Sequence, residues 1–502
     1  LKMMKMKTRY ILTYLSLGCA ASVAQAADLR VTPGALEAML TDEVKAETAL
    51  TLSGQMDLRD FTALTEKMPR LKSLDLSGVS VTAYDSPRVS AVGPSSNKAD
   101  ELPRGALLGL HLTDLALPSG LRVIGEGALA GGEFTTLVLP ASLTSIGDHA
   151  LYGCTRLENL TFPASVASVG TYSLAGCTSL RVADLSATRL TEIPARMFEG
   201  DAALATVSLP AALGKIGEGS FAGTASLKSV SLPGTLTFIG KNAFNASGLE
   251  NVTLPSSVNE VGDFAFSNCH SLTGAVLGNP KAALGQGVFY SDPLFVTLDA
   301  PGIERFPDYL FAGSHSADVV RLLGGVEEIG AYAMSGNRAE TLVFGSTLVY
   351  LGDGAMENMG SLTDIDATAL EGAVPELGDN VFSGIDQGNV NLIVADNVSA
   401  PWQAADQWKE FKVLEVGHTG AGSVISIPSD SVRGRFEGTV LRLTSGEPMA
   451  RVEVYEPGGA KVADTAPHST EAHVETSAFA GRVYVVRAIL ENGHVATLKL
   501  MR

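Results

Sequence analysis

The chain is poor in residues that serve catalysis. It has 8 histidines, 2 tryptophans and 4 cysteines in 502 residues. No His-x-x-x-His or His-Glu-x-x-His spacing occurs, and the closest pair, His468 and His473, stands alone. Zinc and histidine-based chemistry need clustered ligands or bases, so neither a metal nor a catalytic residue is expected. Strings such as Gly125-Glu126-Gly127 recur, but no βαβ unit with an acidic partner follows them. They are not phosphate loops, and no cofactor is expected. Basic residues are also short, 36 against 54 acidic, for a net charge of −18. Such a chain repels phosphate backbones and anionic lipid, which argues against nucleic acid as a partner. Residues 420–502 hold nine charges of each sign, so the acid excess lies upstream. Beyond the N-terminal segment, no run is long and apolar enough to span a bilayer.

What is present is 45% apolar residues and 53 glycines. Residues 1–26 read as a secretory signal. Lys2, Lys5, Lys7 and Arg9 precede an apolar stretch from Tyr10 to Val23, and Ala24-Gln25-Ala26 offers small residues for cleavage. Ser16-Leu17-Gly18-Cys19 also suggests a lipoprotein box, with Ser where Leu is expected. Cleavage at Ala26 and lipidation at Cys19 both remain open.

Self-comparison gives the strongest signal. Leu157, Leu160, Phe162-Pro163, Val166, Val169-Gly170, Leu174 and Cys177 are followed one period later by Leu180, Ala183, Leu185, Leu190, Ile193-Pro194, Phe198 and Gly200. Copies begin near Leu112, Phe134, Leu157, Leu180, Leu204, Leu227, Leu249, Leu272, Leu294, Ala317, Ala339 and Leu362, spaced 22 to 24 residues apart. A thirteenth begins at Leu71 and is interrupted by a polar insert, Ala83 to Asp100. The Leu-x-x-Leu-x-Leu run alternates as a short strand with one apolar face. Pro or Gly ends the strand, and the later Gly is read as the residue where the chain turns back. One unit buries about seven apolar side chains, worth roughly 14 kcal/mol. Ordering its residues costs about 35 kcal/mol. A single unit cannot fold alone, so neighbours must stack.

Caps close both ends of the array. Thr32-Pro33 is expected to open a short helix, Ala49 to Leu52 to form a strand, and Asp57 to Met68 a helix. Val390 to Val394 reads as the last strand. Trp402, Ala405, Trp408 and Phe411 follow three apart, on one face of a closing helix. That aromatic pair is read as a cap, with sugar binding as the alternative. The expected organisation is a signal at 1–26, an N-terminal cap at 27–70 and about 13 repeats over 71–389. A C-terminal cap at 390–416, a Gly/Ser-rich linker at 417–433 and a β-sandwich-like domain at 434–502 complete it. The fold class is an α/β-type repeat solenoid with a parallel sheet, plus a small all-β domain.

The unit resembles the BspA-like subclass of leucine-rich repeats, through Leu-x-x-Leu-x-Leu-Pro, Ile-Gly, Ala-Phe and Gly-Cys. Phe134 to Cys154 and Leu227 to Phe244 match closely, and the resemblance covers roughly residues 28–416. It implies an exported or surface protein of bacteria, associated with adhesion and host-matrix binding, and supplies no catalytic residues. The C-terminal end is similar to the sorting domain of type IX secretion in Gram-negative bacteria. Val454-Tyr455, Gly458-Gly459, Ala480-Gly481, Tyr484 to Arg487, Gly493 and Lys499 carry that likeness. A plain β module is the alternative.

The expected binding surface is the outer face of the parallel strands. Its ligand-facing candidates are Thr136, Asn159, Thr161, Asp184, Thr206, Ser208, Ser229, Ser231, Asn251 and Thr253. Such residues also suit any exposed strand, and Tyr, Trp and Arg anchors are few there. The opposite rim or the insert could bind instead. Cys154 and Cys177 share one repeat position, as does Cys269; buried thiols and a Cys154–Cys177 bridge are both open. The expectation is a non-enzymatic surface protein that binds protein or glycan. A structural envelope component without a specific ligand is the alternative, and an enzymatic role, as a hydrolase in the C-terminal domain, a more remote one.

Overall fold

The computed structural model describes residues 27–86, 96–293, 297–299, 302–314, 319–321, 325–416, 432–437, 440–455, 461–476, 483–490 and 495–501. The signal segment, the core of the insert, most of the linker, and Gly458-Gly459, Ala480-Gly481 and Gly493 lie outside them. The chain divides into two compact units, one reaching Leu294 with 298–300, the other comprising 295–297 and everything from Pro301. Both contain turns of a parallel-strand solenoid.

In the first unit most turns carry two short strands. The first follows the alternation seen in the sequence. Asn159–Thr161, Val182–Asp184 and Thr206–Ser208 pair in parallel, with Leu160 opposite Ala183 and Ala183 opposite Val207. Asn251–Leu254 pairs likewise with Gly274–Leu277. The second strand was expected only as a turn. Val123–Ile124, Ser145–Ile146 and Ser168–Val169 form one parallel ladder. Glu192–Ile193, Lys215–Ile216, Phe238–Ile239, Glu260–Val261 and Ala283–Leu284 form another.

The apolar periodicity faces inward. Leu157, Leu160, Phe162 and Val166 are all buried, as are their counterparts in neighbouring turns. On the return leg Phe198, Phe221, Phe244, Phe266 and Phe289 stack through the core, with centroids 5.1 to 6.0 Å apart. A turn cannot bury these rings without its neighbours, which is why stacking is obligatory. Side chains also staple several turns to their neighbours. Ser142 and Ser165 hydroxyls bond to the Leu121 and Leu143 carbonyls at 2.7 and 2.6 Å. Asp148 Oδ1 accepts the Thr171 N–H at 2.7 Å.

The glycine after the second strand has a different cause from the one expected. Gly147, Gly217, Gly240 and Gly262 do not have positive φ. A Cβ on Gly147 would lie 2.7 Å from Glu126 N, and one on Gly240 2.7 Å from Glu218 N. Close approach of the preceding turn, not backbone handedness, excludes a side chain here.

The N-terminal segment contributes strands Ala27–Val31, Ala49–Met56 and Ser73–Val81 to a parallel sheet ending at Asp114–Ala116. Helix Leu58–Lys67 starts at a capping box in which Asp57 and Asp60 bond reciprocally to backbone. Asp60 also accepts the Gly34 and Leu36 N–H groups. Thr32 does not cap a helix as expected. Its carbonyl accepts Ala35 N–H in a turn, and Thr41 caps the helix Asp42–Ala46 instead. From the insert, Asn97 is buried and accepts the Leu58 N–H at 3.0 Å.

In the second unit, Val319–Arg321, Thr341–Val343, Asp364–Asp366 and Asn391–Ala395 form one parallel ladder. The expected last strand is not the last, because Lys412–Val416 pairs with it in parallel. The closing helix is interrupted. Helix Ser399–Ala404 stops, Gln407 takes φ 60°, and a 3-10 turn spans Trp408–Glu410. Trp402 and Trp408 meet edge to face at 5.0 Å and are both fully buried. They present no ring face to a sugar.

The C-terminal strands are antiparallel. The 16-residue strand Val440–Tyr455 pairs first with Val432–Glu437 and Ser469–Glu475. After a register break between Thr444 and Met449 it pairs with Lys461–Thr465 and Val483–Leu490. Leu441, Leu443, Val452, Val454, Tyr484 and Val486 belong to one buried cluster. By changing partners midway this strand joins all six into one antiparallel sheet.

Candidate functional site

The strand-face candidates split by exposure. Thr136, Asn159, Thr161, Thr206, Ser229, Ser231, Asn251 and Thr253 are exposed, while Asp184 and Ser208 are half-buried. Thr136 joins the ladder only through a bridge to Asn159, and Ser229 and Ser231 lie outside any strand. Between them, Leu160, Ala183 and Val252 point inward and are buried. Asp184 accepts the Ser186 hydroxyl at 2.7 Å, and that bond holds its carboxyl below the usual range. The face is a run of small hydroxyls and amides on a rigid backbone, suited to hydrogen bonding and not to proton transfer. Among the described residues no group of three or more His, Cys, Asp or Glu could hold a metal ion.

A second surface was not located from the sequence. The corner two residues after the packed glycine takes a left-handed backbone in turn after turn. Gly127, His149, Tyr172, Arg196, Gly219, Asn242 and Phe264 have φ between 53° and 60°. Bulky side chains rarely adopt this conformation, and each costs roughly 1–2 kcal/mol. Here they line up. His149 stacks on Tyr172 with centroids 4.9 Å apart and planes 9° apart. The Arg196 guanidinium lies 5.6 Å over the Tyr172 ring. Glu218 and Glu199 hold Arg196 at 2.8 and 3.2 Å. Tyr152, 48% exposed, tilts against His149 at 5.7 Å. Comparing residues at equal repeat offset would have placed them in one column; scanning only the strand positions did not.

The cysteine column faces inward. Cys154, Cys177 and Cys269 are free, buried thiols. Their Sγ atoms bond to carbonyls of Leu129, Leu151 and Phe244 at 3.2 to 3.3 Å. Burial pushes the Cys269 thiol up to about 12, so it is not a ready nucleophile. Asp201 and Asp292 occupy the same column, unnoticed in the sequence. Their Oδ1 atoms accept the Cys177 and Cys269 N–H groups at 2.7 Å. Burial raises both carboxyls to about 9.

These features define a class: a parallel-strand repeat solenoid whose turns expose two regular columns of side chains. Comparison then gives the family. The model of the BspA type leucine rich repeat region matches residues 100–221, 191–316 and 282–398, more than half the chain, and the protein belongs to that family. Among solved structures, a leucine-rich repeat protein from Bacteroides ovatus is 19% identical, with a TM-score of 0.53. That likeness covers 66% of this chain and 91% of the other, and supports the same fold. A leucine rich cell surface protein from Faecalibacterium prausnitzii is 21% identical over 49% of this chain and 83% of its own, with a TM-score of 0.30. The pneumococcal vaccine antigen PcpA is 15% identical over 66% and 90%, with a TM-score of 0.39. No curated protein matches the chain.

Proposed function

We propose that this chain is an exported surface protein of a Gram-negative bacterium. It binds a protein or glycan, in adhesion, through its repeat surface and performs no chemistry itself. The observation that carries the reading is the presentation of exposed side chains at one-turn spacing along parallel ladders. The ten outer-face positions from Thr136 to Thr253 are candidate contacts, and a host matrix component is a candidate partner. No helix among the described residues is long and apolar enough to cross a membrane. The C-terminal domain is proposed as the export address.

Two experiments test this. The full mature chain is titrated against matrix proteins and glycans, with Thr206→Arg and Asn251→Arg as variants. Saturable binding weakened by these variants is expected; a chain that binds nothing saturably overturns the reading. Intact cells are then treated with external protease. Digestion is expected, and it should disappear when residues 434–502 are deleted and the chain stays inside. Protection of the complete chain would rule out surface display.

A further inference from the structure

The His149–Tyr172–Arg196 stack is built for planar groups, and one end of it is open. At one end the Arg196 guanidinium covers Tyr172 while two carboxylates hold its nitrogens. At the other end the ladder position next to His149 is Gly127. A Cβ built there would meet nothing within 4 Å. At Gly219 and Gly287 the corresponding space is already occupied. A Cβ at Gly219 would meet the Arg196 stem at 3.2 Å, and Phe264 leans over Gly287 in the same way. Thus side chains at this corner lean toward the following turn, and with Gly127 in the preceding turn none leans onto His149 from there; Tyr152 meets the His149 ring only tilted, at 5.7 Å.

Carboxylates sit at this end too. Glu126 and Asp148 immediately precede Gly127 and His149 in their turns, and both are exposed. Glu126 is engaged only by Arg104, at 3.0 Å, in an exposed pair of little energetic weight. Asp148 Oδ1 already accepts the Thr171 N–H at 2.7 Å, so an incoming guanidinium would use its Oδ2 and compete with Arg104 for Glu126. The open end therefore offers a ring face and two acids, as the closed end does. The excess of negative charge over the whole chain steers cations toward it.

We propose that this open face binds an arginine side chain of a partner protein, stacked on His149 above Gly127 and paired with Glu126 and Asp148. The inference rests on the binding reading above and names a site and partner chemistry for it. Arginine suits it better than lysine because only a planar guanidinium can stack and pair at once. The backbone strain at His149 and Tyr172 supports the assignment. Glycine would remove that strain, as it does at Gly127 and Gly219, yet aromatic side chains stand there.

The full chain is titrated with a fluorescein-labelled arginine-rich peptide and its lysine counterpart at several salt concentrations. Saturable binding is expected, several-fold tighter for arginine. His149→Gly and Tyr172→Gly should each weaken it at least tenfold. Asn242→Gly, in the same strained column but outside the stack, should leave it unchanged. Because glycine relieves the left-handed backbone, H149G should melt no lower than wild type, which separates lost binding from misfolding. Equal binding by H149G, equal affinity for arginine and lysine, or no binding overturns the proposal. So does an oligosaccharide bound in an H149G-sensitive way. Matrix or glycan binding that survives H149G would sink this site alone and leave the strand-face reading standing.

Discussion

Each turn of the first unit has two tight corners, and glycine fills them for different reasons. At the corner after the second strand the previous turn's backbone comes so close that no Cβ fits, although φ is ordinary. Two residues later φ is near 55°, yet space is ample and His149, Tyr172, Arg196, Asn242 and Phe264 all occur. The first corner is limited by packing; within the first unit Pro103 and Pro194 are the residues that replace glycine there. The second is limited by torsional strain, a smaller and payable cost. Where strain is accepted repeatedly at an exposed corner, the side chain gained is the reason to look there for function.

Substitutions can break this comparison. The largest effect is expected from Gly240→Ala. Its Cβ would meet Glu218 N and Gly217 C at 2.7 Å, so the turns must part, at about 3 kcal/mol. Denaturant melts would check it; a loss below 1 kcal/mol would refute the packing explanation.

Asp201, immediately after the left-handed Gly200, gives an effect that depends on pH. Burial raises its carboxyl from 3.8 to about 9, so the folded chain keeps a proton that the unfolded chain releases above pH 4. Stability should fall as pH rises from about 4 to 9, by at most roughly 1.4 kcal/mol per unit. Asp201→Asn keeps an acceptor for the Cys177 N–H and cannot ionise. It should match wild type near pH 4 and melt higher at pH 8. A difference that does not change with pH would show that the acid is not held neutral.

Gly127→Ala tests the second corner. With φ 60° and no atom within 4 Å of the new Cβ, it should cost only about 1 kcal/mol. If Gly127→Ala and Gly240→Ala cost the same, the two corners are not distinct. The smallest effect, in the opposite direction, is expected from Asn242→Gly, a gain of a few tenths of a kcal/mol in the same melts.

The sequence revealed whatever repeats with an apolar signature. The spacing of leucines located the first strand, the inward face and the Phe return leg, because each is set by burial at a fixed offset. It did not separate the two uses of glycine, since composition shows the missing side chain and not what lies opposite. The second ladder was missed because two-residue strands such as Ser168–Val169 are too short to show a period. Asp201 and Asp292 were missed because small residues elsewhere in their column made identity look unimportant. The closing helix was drawn too long, since a three-residue aromatic spacing also fits a helix broken at Gln407.

The serine and aspartate staples reach one neighbour and no further: Ser165 to Leu143, Asp148 to Thr171. Nothing in such a bond records how many turns lie beyond. A gene that gains or loses one complete period therefore leaves each surviving junction as it was, whereas adding a few residues within a period spoils two. Length in this scaffold can change in whole steps, and the spacing between bound contacts with it.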